Sequence, residues 1–359
     1  MTTIIIKDPL RQAIEAASGG RQTVLYTPKG QASFVTIFNK VDLKTLNPDL
    51  SGTHPAFIIN GNEVSQLFIG TYQGTIIDGE LVSQPWSIPT AGLTYAAMRK
   101  AVNAAGKNWH LMTLPEWGLL AAYDNLGVQT LGNNNQGGSI SDSSLKGAVI
   151  PGQSNLIYSG SGPVQFRLNR EYNNVSDLVG NRFQICDGVR FVDGEIQVVA
   201  NNDAAQTGYD LSLTSPNWKA INGQTGALVA PSGTGTINTD YVATTAASVK
   251  ISAVGETLDY GIYNLQANIP TLTGANKVQQ SAINIMRALG ICTISETCSP
   301  RGGFSVKKTA GADMRWFRSG SPGHGGYASL NAVFSSQYIS DLASYMAEGG
   351  TARPCYYSA

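Results

Sequence analysis

The chain has 359 residues, 42% of them hydrophobic and only 13% charged, and its 24 Lys and Arg balance its 24 Asp and Glu. A charged share about half the usual ~25%, with no net sign, excludes a basic nucleic-acid surface and a polybasic membrane surface. No stretch approaches the ~20 apolar residues of a membrane-spanning helix.

Glycine, at 40 of 359, exceeds the usual ~7%. Gly, Ser, Thr, Asn and Gln dominate the polar positions, which is the profile of a loop-rich β or α+β protein. The opening MTTIIIKDPLRQ has only Ile4 to Ile6 as an apolar run before Lys7 and Asp8. It does not read as a signal peptide, so the expectation is assembly in the cytoplasm of the producing cell.

Residues 1–55 read as a small α/β unit. Asp8 caps a helix that has Pro9 at its first position, Leu10, Ile14 and Ala17 on one face, and Gly19 at its end. QTVLY and ASFVTIF then alternate as two strands around the turn TPKGQ. The linker DLKTLNPDLSGTHP follows. From Ala56 onward, FIINGNEVSQLFIGTYQGTII reads as a strand and hairpin.

Two helices come next. The first covers about Leu93 to Ala105, with a buried stripe of Ala97, Met98, Ala101, Val102 and Ala105, and Gly106 stops it. The second opens at Thr113 with Glu116 at capping-box spacing and turns Leu119, Leu120 and Tyr123 inward. Residues 125–170 are Gly/Asn/Ser-rich loop. RFQICDGVRFVDGEIQVV alternates as a hairpin with turns at Asp187-Gly188 and Asp193-Gly194. Residues 201–265 read as an insertion, and a third helix covers about Val278 to Leu289.

Four cysteines are too few for a disulfide scaffold. They read as buried thiols, with a Cys292–Cys298 bridge as the alternative. His54, His110 and His324 have no metal-ligand spacing, and His324 in GHGG reads as a surface turn residue. Trp109 and Trp117 read as core. No phosphate loop, dinucleotide fingerprint or nucleophile elbow occurs.

The order of several motifs resembles the formylglycine-generating-enzyme branch of the C-type lectin-like fold. Trp109, Leu111, Thr113, Glu116 and Trp117 match its step into the second helix. Asp177, Val179, Gly180 and Asn181 match its central strand motif, although Phe183 and Gln184 stand where the family has Trp and Glu. Arg301, Gly302 and Gly303, followed by Phe304, and then Gly350 to Arg353, match its last two motifs. The resemblance spans residues 56–359 and implies a loop-rich α+β fold.

Two relatives of that branch matter. The oxidase uses a cysteine pair in its final segment, but here Met314 to Pro354 contains no cysteine and Cys355 stands alone. The chain is therefore expected not to be an enzyme. The other relative is the variable protein of diversity-generating retroelements, found as a receptor-binding protein on phage tails. R-W-F-R-S-G-S, G-G-Y-A-S-L-N-A-V-F-S-S and A-R-P-C-Y-Y follow its layout.

That resemblance implies a variable ligand-binding region at about 313–355. Ala328, Leu330, Ala332 and Val333 would anchor it. Arg315, Phe317, Ser319, Ser321, His324, Tyr327, Ser329, Asn331, Tyr338, Ser340, Asp341 and Tyr345 would form the exposed reading surface. Tyr and Arg give large contact area per ordered side chain, and Ser and Asn adapt their hydrogen bonds.

The expected partners are a host cell-surface protein or glycan, other tail proteins through residues 1–55, and two further copies in a trimer. The expected location is the virion. No cofactor is expected. A structural calcium at Asn133 to Asn135 and Asp142 is the one metal the resemblance leaves open. A bacterial adhesin or glycan-binding lectin, and an oxidase of the same branch, are the alternative readings.

Overall fold

The computed structural model describes residues 8–153, 155–192, 195–231, 248–249, 278–294, 304–306, 313–335 and 350–358. In chain order the helices are α1 (Pro9–Ser18), α2 (Tyr95–Ala104), α3 (Leu114–Leu126) and α4 (Gln280–Ala288). The strands are β1 (Gln22–Tyr26), β2 (Ala32–Asn39), β3 (Ile58–Ile59), β4 (Asn62–Glu63), β5 (Gln66–Gly70), β6 (Gly74–Ile77), β7 (Glu80–Ser83) and β8 (Trp109–Leu111), then β9 (Gln184–Val192), β10 (Glu195–Val198), β11 (Lys219–Ile221), β12 (Leu228–Val229), β13 (Phe304–Val306), β14 (Asp313–Arg318), β15 (Val333–Ser335) and β16 (Pro354–Tyr357). The class is α+β.

A five-stranded antiparallel sheet has the order β1-β2-β5-β16-β8. A seven-stranded sheet has the order β12-β11-β10-β9-β14-β15-β13, with only β13 and β15 parallel. Backbone bonds join the two sheets near the start of β9. Ile185 N–H donates to Thr351 O at 2.9 Å, Thr351 N–H to Phe183 O at 2.7 Å, and Asp187 N–H to Met112 O at 2.9 Å.

Local rules account for the helix ends. Asp8 accepts from Arg11 N–H, Pro9 opens α1, and Gly19 closes it in the left-handed conformation. The expected apolar face is not buried, since Leu10 and Ala17 are exposed. α1 leans on an edge strand and is tied by polar bonds: Arg11 Nε to Val24 O at 3.0 Å and Thr23 Oγ1 to Glu15 at 2.6 Å.

α3 is buried on nearly every side from Leu114 to Ala122, which fits a helix apolar all round rather than on one stripe. Gly118 lets it approach the end of α4, because a Cβ there would stand 2.7 Å from the Gly290 Cα.

Four expectations need correction. The described part of residues 1–55 is not a separate unit: β2 pairs with β5, and Phe38, Leu43, Leu46 and Leu50 join the main core. The alternating strands carried enough apolar surface to require a sheet neighbour. Asp187-Gly188 is not a turn but lies within β9, beside a register shift opposite Arg315 and Trp316. The described part of 201–265 extends the larger sheet through β11 and buries Trp218, Ala220 and Ile221. Cys292 is disulfide-bonded, whereas Cys186 and Cys355 are free and buried.

Two buried charged centres hold the body together. The Arg353 guanidinium, fully buried, donates from Nε to Gln184 Oε1 at 2.9 Å and from Nη1 to Gly70 O at 2.7 Å. Its Nη2 donates to Ser176 O at 2.8 Å and Asp177 O at 3.3 Å. Burial pulls its pKa down to about 10, against the pull of Asp177. One side chain thus binds the ends of β5, β9 and β16.

The second centre is Glu116. Its Oε1 accepts from His110 Nε2 at 2.7 Å and Asn202 Nδ2 at 3.1 Å, and its Oε2 accepts from Thr113 N–H at 3.0 Å. Burial works against both charges, but the mutual attraction and the shared hydrogen bond prevail. They leave His110 above its ordinary 6.5 and Glu116 below its ordinary 4.5. His54 is the opposite case: burial alone drives it from 6.5 to about 3.

Two outcomes follow. Arg353→Lys cannot reproduce the planar fork and should cost at least about 3 kcal/mol in chemical denaturation. Stability should peak near pH 6.5. Neutral buried His54 makes it rise with pH up to its unfolded value of 6.5. His110, raised in the fold, makes it fall as pH climbs through its folded value. Denaturation of His110→Gln across pH should lose the alkaline decline and keep the acid one.

Candidate functional site

The C-terminal segment divides into a packed part and a surface part. β14 lies between β9 and β15 in the larger sheet, and its residues Arg315 to Arg318 are buried on both faces. Arg315 and Phe317 are buried, as are Ser319 and Asn331 beyond the strand. These four do not form an exposed reading surface.

Their bonds explain why. Arg315 Nη2 donates to Leu211 O at 2.5 Å, and its guanidinium lies over the Tyr95 and Trp218 rings at 5.1 and 4.5 Å. Ser319 Oγ donates to Gly180 O at 2.9 Å, and Gly180 N–H to Ser319 O at 3.2 Å. Asn331 Nδ2 donates to Asn125 Oδ1 at 3.2 Å. A segment read as display is in this part structural, because other elements cover both faces of β14: Trp316 joins the main core and Phe317 the cluster with α2.

Arg315 also shares a task with two other arginines. Arg99 donates to Tyr209 O at 2.9 Å and Arg190 to Leu213 O at 2.9 Å. Together with Arg315 at Leu211, they hold alternate carbonyls of one loop.

Ser321, His324 and Ser329 remain half-buried. Ala328, Leu330, Ala332 and Val333, expected as anchors, are buried. Tyr327 belongs to a 3-10 turn, Gly325–Tyr327. Tyr338, Ser340, Asp341 and Tyr345 lie outside the described residues, as do Arg301, Gly302 and Gly303.

The turn carrying Ser321 and His324 borders a groove of about 700 Å³. Its other walls include Asn134, Asn135, Gln136, Gln153, Asn155 and Phe183. Asn134 ties the turn down: its Nδ2 donates to Gly325 O at 2.8 Å while Gly325 N–H donates to Asn134 O at 3.0 Å. Burial holds His324 below its ordinary pKa, and its Nδ1 shares a hydrogen bond with Ser321 Oγ at 2.7 Å. The His324 ring meets Phe183 edge-on at 4.9 Å between centroids. Phe183 and Ser321 thus share one wall, joined by His324.

The floor explains the Asp-x-Val-Gly-Asn motif physically. Gly180 has φ 72, and a Cβ there would stand 2.1 Å from Asn133 O, so only glycine fits. Asn181 spends its whole amide on the interior. It accepts from Ile157 N–H at 2.9 Å and donates to Gln73 Oε1 at 2.9 Å and Ile157 O at 3.1 Å.

Two of the residues expected for calcium are held in local bonds. Asp142 accepts from Ser144 N–H at 3.0 Å, and Asn134 Oδ1 accepts from Ile140 N–H at 2.9 Å. Both are local turn bonds rather than a cage of oxygens.

Among the described residues one group has potential metal ligands close together: His110, Glu116 and Cys355, within 4.8 Å and all buried. His110 Nδ1 faces Asn108 O at 3.0 Å and Nε2 faces Glu116 at 2.7 Å. Both ring nitrogens therefore meet oxygen acceptors, which requires the doubly protonated imidazolium. As placed, His110 and Glu116 form a hydrogen-bonded ion pair beside the Cys355 thiol.

Sequence reasoning missed Asn135, Gln136, Gln153 and Asn155. The run NNNQ was visible as loop composition, but nothing in it indicated a wall opposite a segment almost two hundred residues away. Comparisons with known protein families and with curated proteins find no match for this chain.

The packed and surface residues should respond differently to truncation. Arg315→Ala removes the bond to Leu211 and should cost about 3 kcal/mol. Ser321→Ala should cost less than about 1 kcal/mol. Thermal and chemical denaturation of the two variants would separate these roles.

Proposed function

We propose that the chain is a phage tail receptor-binding protein. It would be a variable protein of the formylglycine-generating-enzyme type of C-type lectin-like fold, taking its receptor at the turn around residues 319–326 and the adjoining groove. The motif order from Trp109 to Arg353 supports this reading, as does the α+β architecture. The observation that carries it is the groove itself, with Ser321 and the His324–Phe183 wall on one side and exposed carboxamides on the other.

The reading surface is narrower than the whole terminal segment. Arg315, Phe317, Ser319 and Asn331 belong to the scaffold, and variation there would cost stability. Ser321 and Gly323 can vary more cheaply: Ser321 is half-buried, and a Cβ at Gly323 would meet nothing within 4 Å. In this proposal a fixed body positions a short turn whose side chains meet the receptor. Several copies on one tail would add avidity.

Binding of the purified chain to intact cells of bacteria related to the one carrying the gene tests the reading. The wild type should bind. Ser321→Arg with Gly323→Arg should weaken binding at least tenfold and leave the melting temperature in place. Absence of wild-type binding across such strains would defeat the proposal. The diversification part is checked in adjacent DNA, which should hold a reverse transcriptase gene and an adenine-rich near-copy of codons about 313–355.

A further inference from the structure

The groove beside Ser321 has a wall chemistry that selects among ligands. Asn135, Gln136 and Asn155 are exposed, and their side chains make no hydrogen bond among the described residues. Asn134 and Asn181, beneath them, are committed to the protein. Three uncommitted carboxamides therefore stand beside amides already spent on the protein, and Asn133 Nδ2 donates to Asn155 O at 2.8 Å.

Two of the three stand on unusual backbone. Gln136 has φ 48 and Asn155 has φ 59. Asparagine tolerates this region, but glutamine has no local reason to occupy it. Strained residues persist where the surroundings hold them, often at ligand sites.

A carboxamide offers one acceptor oxygen and two N–H donors, all neutral. A sugar hydroxyl both donates and accepts, so neighbouring hydroxyls match a carboxamide in pairs. Among the described residues the walls carry no carboxylate, and their one guanidinium, Arg182, is mostly buried, with Nη2 3.4 Å from Gln153 Oε1. Phe183 and Ile140 supply the apolar contact that the C–H face of a pyranose needs.

We infer that this groove binds an uncharged saccharide directly through Asn135, Gln136 and Asn155, without a metal. The inference rests on the receptor-binding reading and names the chemistry of the receptor. A protein receptor is the competing outcome.

The test uses the full chain and a panel of neutral oligosaccharides built from glucose, mannose, galactose and N-acetylglucosamine. Saturation-transfer NMR and calorimetry are run in EDTA. At least one neutral series should bind. The double variant Gln136→Gly/Asn155→Gly should then weaken binding at least tenfold. Glycine suits both backbone conformations, so the fold should survive with its melting temperature unchanged or raised.

Binding that persists in the double variant, or that disappears in EDTA, overturns the inference. So does a panel with no binder, or cell binding that survives periodate but not protease. Cell binding by the wild type separates the two levels. If it is present while every neutral saccharide fails, only this inference falls. If it is absent, the receptor-binding reading falls as well.

Discussion

The body of this protein depends on a buried guanidinium. Arg353 stands six residues from the end of the chain and receives no solvent, yet it supplies hydrogen bonds to segments that begin near residues 70, 176 and 184. A desolvated charge is tolerable only when its donors are spent, and here the acceptors come from three separate segments. The C-terminal strand is therefore what joins the N-terminal sheet to the rest. β16 sits between β5 and β8 and pairs with both, so a strand from residues 354–357 closes onto strands from residues 66–70 and 109–111.

This arrangement changes what a C-terminal binding segment can be. A strand covered on both faces cannot display its side chains, and β14 shows the consequence. Arg315 holds a loop, Phe317 fills the core beside α2, and Ser319 is stitched to Gly180. Surface chemistry is left to the turn that follows. The turn is itself positioned by backbone and amide bonds to Asn134, so scaffold and surface meet within a few residues of each other.

The Glu116 centre works by the same logic on a smaller scale. A capping carboxylate at the start of α3 also neutralises an imidazolium on β8 and receives Asn202 from beyond β10. One residue thus terminates a helix, pairs a charge and locates a distant loop. Burial makes each of these bonds stronger and makes the loss of any partner expensive.

The sequence by itself determined the local elements. The cap at Asp8, the stop at Gly19, the stripe Met98, Ala101 and Val102, and the Thr113–Glu116 helix start all follow from short-range rules that need no distant partner. The strand character of β1, β2, β9 and β10 was legible too, although β9 and β10 are buried on both faces and Asp187-Gly188 lies inside β9. Tertiary structure decided what those elements faced. Alternation at residues 22–39 cannot say that the strands continue into β5 and β16, nor can a polar-looking tail say that β14 is internal. The groove was illegible for the same reason. Its walls, around Asn134–Gln136, Asn155 and Ser321–Gly325, are brought together by bonds such as Gly180–Ser319 and Asn134–Gly325, and no local pattern encodes a contact across that distance in the chain.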